Sequence, residues 1–141
     1  MTIINFRNFR GIHGGPQMDA YYRCYINNKN NCTWISFFDI DEFLMLESNN
    51  ISLKQLLNDP RYSKCEGISI NWKIIHDNDL LEYKNISIKA RFKGIKNNFR
   101  ANFSKLIARG SLPYNLTKSY SAHTLWYDIK LCNTLGKRII N

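Results

Sequence analysis

No apolar run in this chain approaches the ~18 residues of a membrane span; the longest, Cys32 to Phe38, has the length of one strand. The opening residues, Met1-Thr2-Ile3-Ile4-Asn5-Phe6-Arg7, lack the apolar core and small-residue cleavage site of a secretory leader. Proline and glycine are scarce, three and seven in 141 residues, which excludes a collagen repeat. The four cysteines are too few for a disulfide miniprotein, and no sustained heptad marks a coiled coil. Acids are also in short supply: 11 Asp+Glu stand against 20 Lys+Arg, a net charge of +9. What remains is 44% hydrophobic and 13% aromatic, enough apolar mass for the core of one domain, of mixed α/β or β-rich class.

The positive charge favours anionic partners such as nucleic acid, acidic lipid or phosphorylated small molecules. The basic residues are spread, however, with modest clusters at Arg7/Arg10, Lys84–Lys96 and Lys137/Arg138 and no dense run. A solvated basic face explains them. Cys24, Cys32, Cys65 and Cys132 show no C-x-x-C spacing and no histidine placed to complete a zinc set. Buried free thiols in a reducing cytosol are the expectation. Five Asn-x-Ser/Thr triplets, at Asn31, Asn50, Asn85, Asn102 and Asn115, are put down to the abundance of asparagine.

Local patterning predicts a strand over Ile3–Phe9 and a helix over Gln17–Asn27, whose Met18, Tyr21, Tyr22 and Tyr25 recur at helical spacing. Cys32–Phe38 is apolar on both faces and reads as a buried central strand. Ser52 caps a short helix to Asn58, which Pro60 closes. Gly67–Ile75 and Ile86–Phe92 alternate and read as strands, as does Phe103–Ala108; Tyr127–Ile140 reads as a closing helix.

The chemistry concentrates in Phe37-Phe38-Asp39-Ile40-Asp41-Glu42-Phe43-Leu44. Carboxylates are almost never fully buried without partners, yet three follow the most apolar segment of the chain. If the strand stays extended, Asp39 and Asp41 point the same way about 6.6 Å apart, a spacing that brackets one hard divalent cation such as Mg²⁺ or Mn²⁺. Two enzyme classes place an acid pair at a strand end. The haloacid-dehalogenase-like phosphatases need a small residue and then Thr or Val after the second Asp, where Glu42-Phe43 stand here. The other class is the GT-A glycosyltransferases, whose Asp pair holds the metal on a sugar-nucleotide diphosphate.

Gln17-Met18-Asp19-Ala20-Tyr21-Tyr22-Arg23-Cys24 followed by Trp34-Ile35-Ser36-Phe37-Phe38-Asp39-Ile40-Asp41-Glu42-Phe43-Leu44 resembles the family-2-like and family-92 glycosyltransferases, with their Gln-led helix and W-x-x-F-x-D-I-D-E-F-L strand. The resemblance continues through Ile68–Trp72, Arg91-Phe92, Lys105–Arg109 and His123, over residues 3 to 126. After Trp72, Lys73-Ile74-Ile75-His76-Asp77-Asn78-Asp79 replaces the family's Phe-Gly-Ser-type turn. The resemblance implies a partial GT-A (Rossmann-like) α/β domain, with a mixed, mostly parallel sheet flanked by helices. Residues 1–141 would form its central and C-terminal part, without the first unit that cradles the nucleotide base.

It further implies a sugar transferase of hexosyltransferase type, dependent on Mn²⁺ or Mg²⁺ and acting in cell-surface polysaccharide synthesis. The expected location is the cytoplasm, peripheral to the membrane. Asp41 would ligate the metal directly, Asp39 would contact the ribose or a metal-bound water, and His123 would add a ligand. Lys105 would meet phosphate and Gln17 the donor. Glu42 would be structural, bonding backbone or an arginine. Asp77 and Asp79 are the candidates for a general base on the acceptor hydroxyl. Expected partners are a nucleotide-sugar donor, a glycan or lipid-linked acceptor, an upstream chain that supplies the nucleotide-binding half, and a second copy through an open sheet edge. Alone, the chain is expected to transfer sugar weakly or not at all. The competing reading is a basic nucleic-acid- or protein-binding module without catalysis, which requires a contiguous Lys/Arg face with exposed aromatics.

Overall fold

The computed structural model describes residues 15–46, 50–76, 82, 85–91, 94–95, 103–113 and 129–139. The elements are α1 (Pro16–Asn28), β1 (Trp34–Ser36), α2 (Leu53–Leu57), β2 (Gly67–Asn71), β3 (Ile75–His76), α3 (Ile88–Arg91), β4 (Gly94–Ile95), β5 (Ser104–Arg109) and β6 (Leu131–Cys132). A single 3₁₀ turn, Pro60–Tyr62, follows α2. The chain divides into two compact units, one made of residues up to Ile70 together with those from Lys105 onward, the other of Asn71–Ser104.

The first unit holds a four-stranded sheet in the order β1-β5-β2-β6. β1 and β5 are antiparallel, with Trp34 opposite Arg109 and Ser36 opposite Ile107. The Arg109 N–H at the end of β5 donates to the Glu66 carbonyl just before β2, so these two strands also run in opposite directions. β2 and β6 are parallel, Gly67 facing Leu131. The sheet is thus mixed, as expected, but among the described residues it lacks the parallel majority. The Cys32–Phe38 segment also departs from expectation. Only Trp34–Ser36 is strand, and it is one of the two outer strands of the four. Its apolar residues are half-buried rather than enclosed, and β5 takes the interior position with Lys105, Ile107 and Ala108 buried.

Alternation sorts the apolar side chains into two clusters. Ile35 and Phe37 join Leu106, Ala108, Leu112 and Ile129 around Met18, Tyr21 and Tyr25 of α1. Trp34, Ile68 and Ile70 join Tyr62, Cys65, Cys132, Leu56 and Leu57. Helix α1 therefore uses Met18, Tyr21 and Tyr25 of the stripe its spacing announces, while Tyr22 stays outside the cluster. The Tyr25 hydroxyl donates to the Gly110 carbonyl (3.1 Å), and the Gly110 N–H donates to Thr33 (2.9 Å). A β-carbon at Gly110 would collide with the Cys32 carbonyl, so only glycine lets the two loops approach this closely. Helix α2 bears out the Ser52 cap: Ser52 Oγ accepts the Gln55 N–H, and Gln55 Oε1 accepts the Ser52 N–H in return.

Arg109 fastens the second cluster. Its Nε donates to the Cys65 carbonyl (3.2 Å) and its Nη2 to the Tyr62 carbonyl (3.0 Å), while the guanidinium lies 3.8 Å above the Trp34 ring. Cys65 and Cys132 form a disulfide, with Cα atoms 5.8 Å apart. That corrects the expectation of four buried free thiols, as does the exposure of Cys24; Cys24 and Cys32 alone are free. The closing helix is corrected too. From Leu131 the chain is strand, and it then doubles back so that Cys132 bridges Arg138. Asn133 Oδ1 accepts the Leu135 and Lys137 N–H groups, and Gly136 adopts φ +75°, a turn rather than a helical geometry.

In the second unit, β3 and β4 pair antiparallel, and Trp72 stacks on Phe103 with ring centroids 5.4 Å apart. The strand expected over Ile86–Phe92 does not form among its described residues: Ile88–Arg91 forms one helical turn, with Ser87 Oγ accepting the Ala90 N–H. The strand expected over Ile3–Phe9 lies outside the described residues.

Candidate active site

The acidic block folds back on itself instead of extending β1. The Glu42 N–H donates to the Asp39 carbonyl (3.0 Å), and the Asp39 N–H donates to Glu42 Oε2 (2.9 Å). This reciprocal pair closes a turn with Ile40 and Asp41 at its tip, and Ile40 is fully exposed. The extended geometry behind the 6.6 Å spacing is therefore not adopted. Asp39 faces the protein and Asp41 faces solvent.

Three side chains from two elements, α1 and β5, meet at Asp39. From the first turn of α1, Gln17 Nε2 donates to Asp39 Oδ1 (2.9 Å) and to the Tyr21 hydroxyl (2.9 Å). One turn on, the Tyr21 hydroxyl donates to the same Oδ1 (3.3 Å), and its ring stacks on Phe37 at 4.4 Å. From β5, Lys105 Nζ lies 3.2 Å from Asp39 Oδ2 and 2.9 Å from Glu42 Oε2. Burial and the Asp39 charge raise the Tyr21 pKa, so the phenol stays protonated and remains a donor. Lys105 is only 3% exposed. Burial alone would lower its pKa, but the hydrogen bonds to Glu42 and Asp39 outweigh that and hold it above the usual lysine value.

The expected site residues separate into three groups. Gln17, Asp39 and Lys105 come together in one network, and Glu42 joins it by bonding a backbone N–H and a lysine rather than an arginine. Asp41 sits beside that network, exposed, with no hydrogen-bond partner among the described residues. His123, Asp77 and Asp79 lie outside the described residues. Tyr21 was not singled out, although its place four residues after Gln17 puts the two on one helix face.

Among the described residues no three His, Cys, Asp or Glu side chains cluster as a ready ligand set for a metal. The donor chemistry still fits a hard dication at the turn, because Asp41 offers carboxylate oxygens to solvent. Asp39 is differently placed: it already accepts from Gln17, Tyr21 and Lys105, which suits an orienting role better than direct coordination.

Comparison with curated proteins and with solved structures yields no match for this chain. The sequence model of glycosyltransferase family 92 does match it, over residues 6–131. That span takes in α1, the acidic turn, the whole of β5 and the start of β6. With the match covering most of its length and the site elements in it, the chain belongs to glycosyltransferase family 92.

Proposed function

We propose that this family 92 glycosyltransferase moves a sugar, of hexose type, from a nucleotide-sugar donor to a glycan or lipid-linked acceptor, using Mn²⁺ or Mg²⁺ at the Asp39–Glu42 turn. One observation carries the reading: at the end of β1 the turn fixes Asp39 inward and leaves Asp41 outward and unpaired among the described residues. Asp41 would hold the cation directly, with His123 as a further, neutral nitrogen ligand. When bound, the cation would act as a Lewis acid on the leaving diphosphate.

The chain's own groups do the positioning. Gln17 and Tyr21 fix the Asp39 carboxylate from α1. Asp39 in turn orients the donor ribose or a water beside the cation. If configuration inverts, Asp77 or Asp79 would take the proton of the acceptor hydroxyl. Synthesis of a cell-surface polysaccharide is the process this chemistry suits. The partly basic surface assists an anionic donor and needs no nucleic-acid ligand. Among the described residues no helix is long and apolar enough to cross a membrane. The cytoplasmic location drawn from free thiols loses its support, since the Cys65–Cys132 disulfide fits an oxidising compartment.

The test is to follow nucleotide release and donor binding with a panel of UDP- and GDP-sugars, with Mn²⁺ and again with a chelator. The expected result is selective binding and slow release with one donor class, both lost on chelation. Release or binding indifferent to the chelator would remove the cation from the account. Tight binding of DNA or RNA without donor binding would favour the basic module.

A further inference from the structure

We propose that Lys105 is a positioning residue that sets the shape and charge of the acidic turn, and that it does not contact phosphate. The inference rests on the metal-site reading above and assigns the lysine a different task within it. A lysine at 3% exposure is rare unless paired. Two carboxylates of the turn hold it: Asp39 Oδ2 at 3.2 Å and Glu42 Oε2 at 2.9 Å. Its ammonium has three N–H groups, so two of them are directed at these carboxylates. Almost no surface is left for a phosphate to reach.

The placement follows from the sheet. β1 and β5 are held in register by Ser36 opposite Ile107, and Ser36 Oγ donates to the Leu106 carbonyl (2.7 Å). Lys105 lies next along β5, and its four-carbon stem carries the charge past the end of β1 to the turn. There it counters two of three carboxylates that fall within four residues, Asp39, Asp41 and Glu42. Asp41 alone is left to face a dication. Without the lysine, three like charges would repel one another at the tip of a turn closed by two hydrogen bonds.

The consequence is opposite in sign for cation binding and for transfer. In Lys105→Met the loosened acids should capture free cation more tightly but present it wrongly. Mn²⁺ affinity of the nucleotide-free protein, read by electron paramagnetic resonance, should rise about tenfold as two carboxylates lose their counter-charge. The kcat for transfer should fall about tenfold or more, with donor KM moving less than about threefold. Hydrogen exchange at the Asp39 and Glu42 amides should quicken. Lys105→Arg, which keeps the charge, should recover most of kcat. The double variant Lys105→Met/Glu42→Gln loses one charge of each sign, which restores the parent's local net charge and guards against misfolding; its Mn²⁺ affinity should return to near that of the parent protein.

A rise of about tenfold in donor KM with unchanged Mn²⁺ affinity would make Lys105 a phosphate contact and overturn the proposal. A lower melting temperature with unchanged Mn²⁺ affinity, kcat and KM would reduce it to a structural ion pair, with the same effect. The metal-site reading is judged separately, on the parent protein. If that protein binds no Mn²⁺ and Asp41→Asn changes nothing, that reading falls. The lysine's role is then decided by amide exchange: quickening confined to Asp39 and Glu42 upholds it, and unchanged exchange refutes it.

Discussion

Asp41→Asn is expected to lower metal-dependent transfer by about a thousandfold while leaving the fold intact. The asparagine keeps the size and shape of the side chain but removes its charge. Lewis-acid stabilisation of a leaving diphosphate contributes several kcal/mol, and each 1.36 kcal/mol is a factor of ten in rate. Asp41 is exposed and belongs to neither apolar cluster, so its replacement removes no packing. The melting temperature should stay within experimental error, and calorimetric titration should show Mn²⁺ binding lost. Asp39→Asn should behave differently. Its carboxylate is tied to Gln17, Tyr21 and Lys105, and Lys105 is buried, so the change disturbs the network as well as the reaction. Breaking one arm of a fully buried ion pair typically costs about 3–5 kcal/mol; here the cost should be smaller, because the Asp39 side chain is 36% exposed and Glu42 remains on the same lysine.

The second large effect concerns stability. Removing the Cys65–Cys132 disulfide by a double serine replacement should destabilise the first unit by about 4 kcal/mol, the chain-entropy value for a loop of this size, within a usual range of about 2–5. The bridge spans 67 residues in sequence. It ties the start of β2 to β6, strands whose parallel pairing extends over only two residue pairs. Both cysteines lie in the cluster that also holds Tyr62 and Ile68, so serines would also leave two hydroxyls in an apolar setting. With a urea m-value of about 1–3 kcal/mol/M, the midpoint should drop by about 2 M, and reductant should produce a similar drop in the parent protein. Thiol titration of the denatured, unreduced chain should find two free thiols, Cys24 and Cys32. Four would show that the bridge does not form.

The helix α1, the Ser52 cap and β5 were legible because each is written locally. Apolar residues recur at helical spacing over Met18–Tyr25, Ser52 stands three residues before a glutamine, and Phe103–Ala108 lies close to the observed Ser104–Arg109. The C-terminal segment misled because two constraints that local patterning does not encode decide its path. One is the covalent bond from Cys132 to a residue 67 positions earlier, and the other is the left-handed Gly136. Ile86–Phe92 alternates like a strand, yet Ser87 captures the Ala90 N–H and starts a helical turn.

At the site, the residue types were legible and their division of labour was not. Period-two geometry put Asp39 and Asp41 side by side. Instead Glu42 reaches back to the Asp39 N–H and turns the chain, so the two aspartates face opposite environments. A glutamate three residues after an acceptor is a known local signal for such a reciprocal bond at helix starts. The burial of Lys105 had no local signal, because it depends on a strand 66 residues away from Asp39 in sequence.

The most direct test of the Asp41-centred site is a titration of the ¹⁵N-labelled protein with Mn²⁺ and UDP, following paramagnetic broadening of backbone amides. The ion should erase the signals of Ile40, Asp41 and Glu42 first, then those of Gln17 and Tyr21, and the same titration of Asp41→Asn should leave them sharp. Broadening that begins instead around Asp59 and Glu66, acids remote in sequence from the turn, or that persists unchanged in Asp41→Asn, would contradict the assignment.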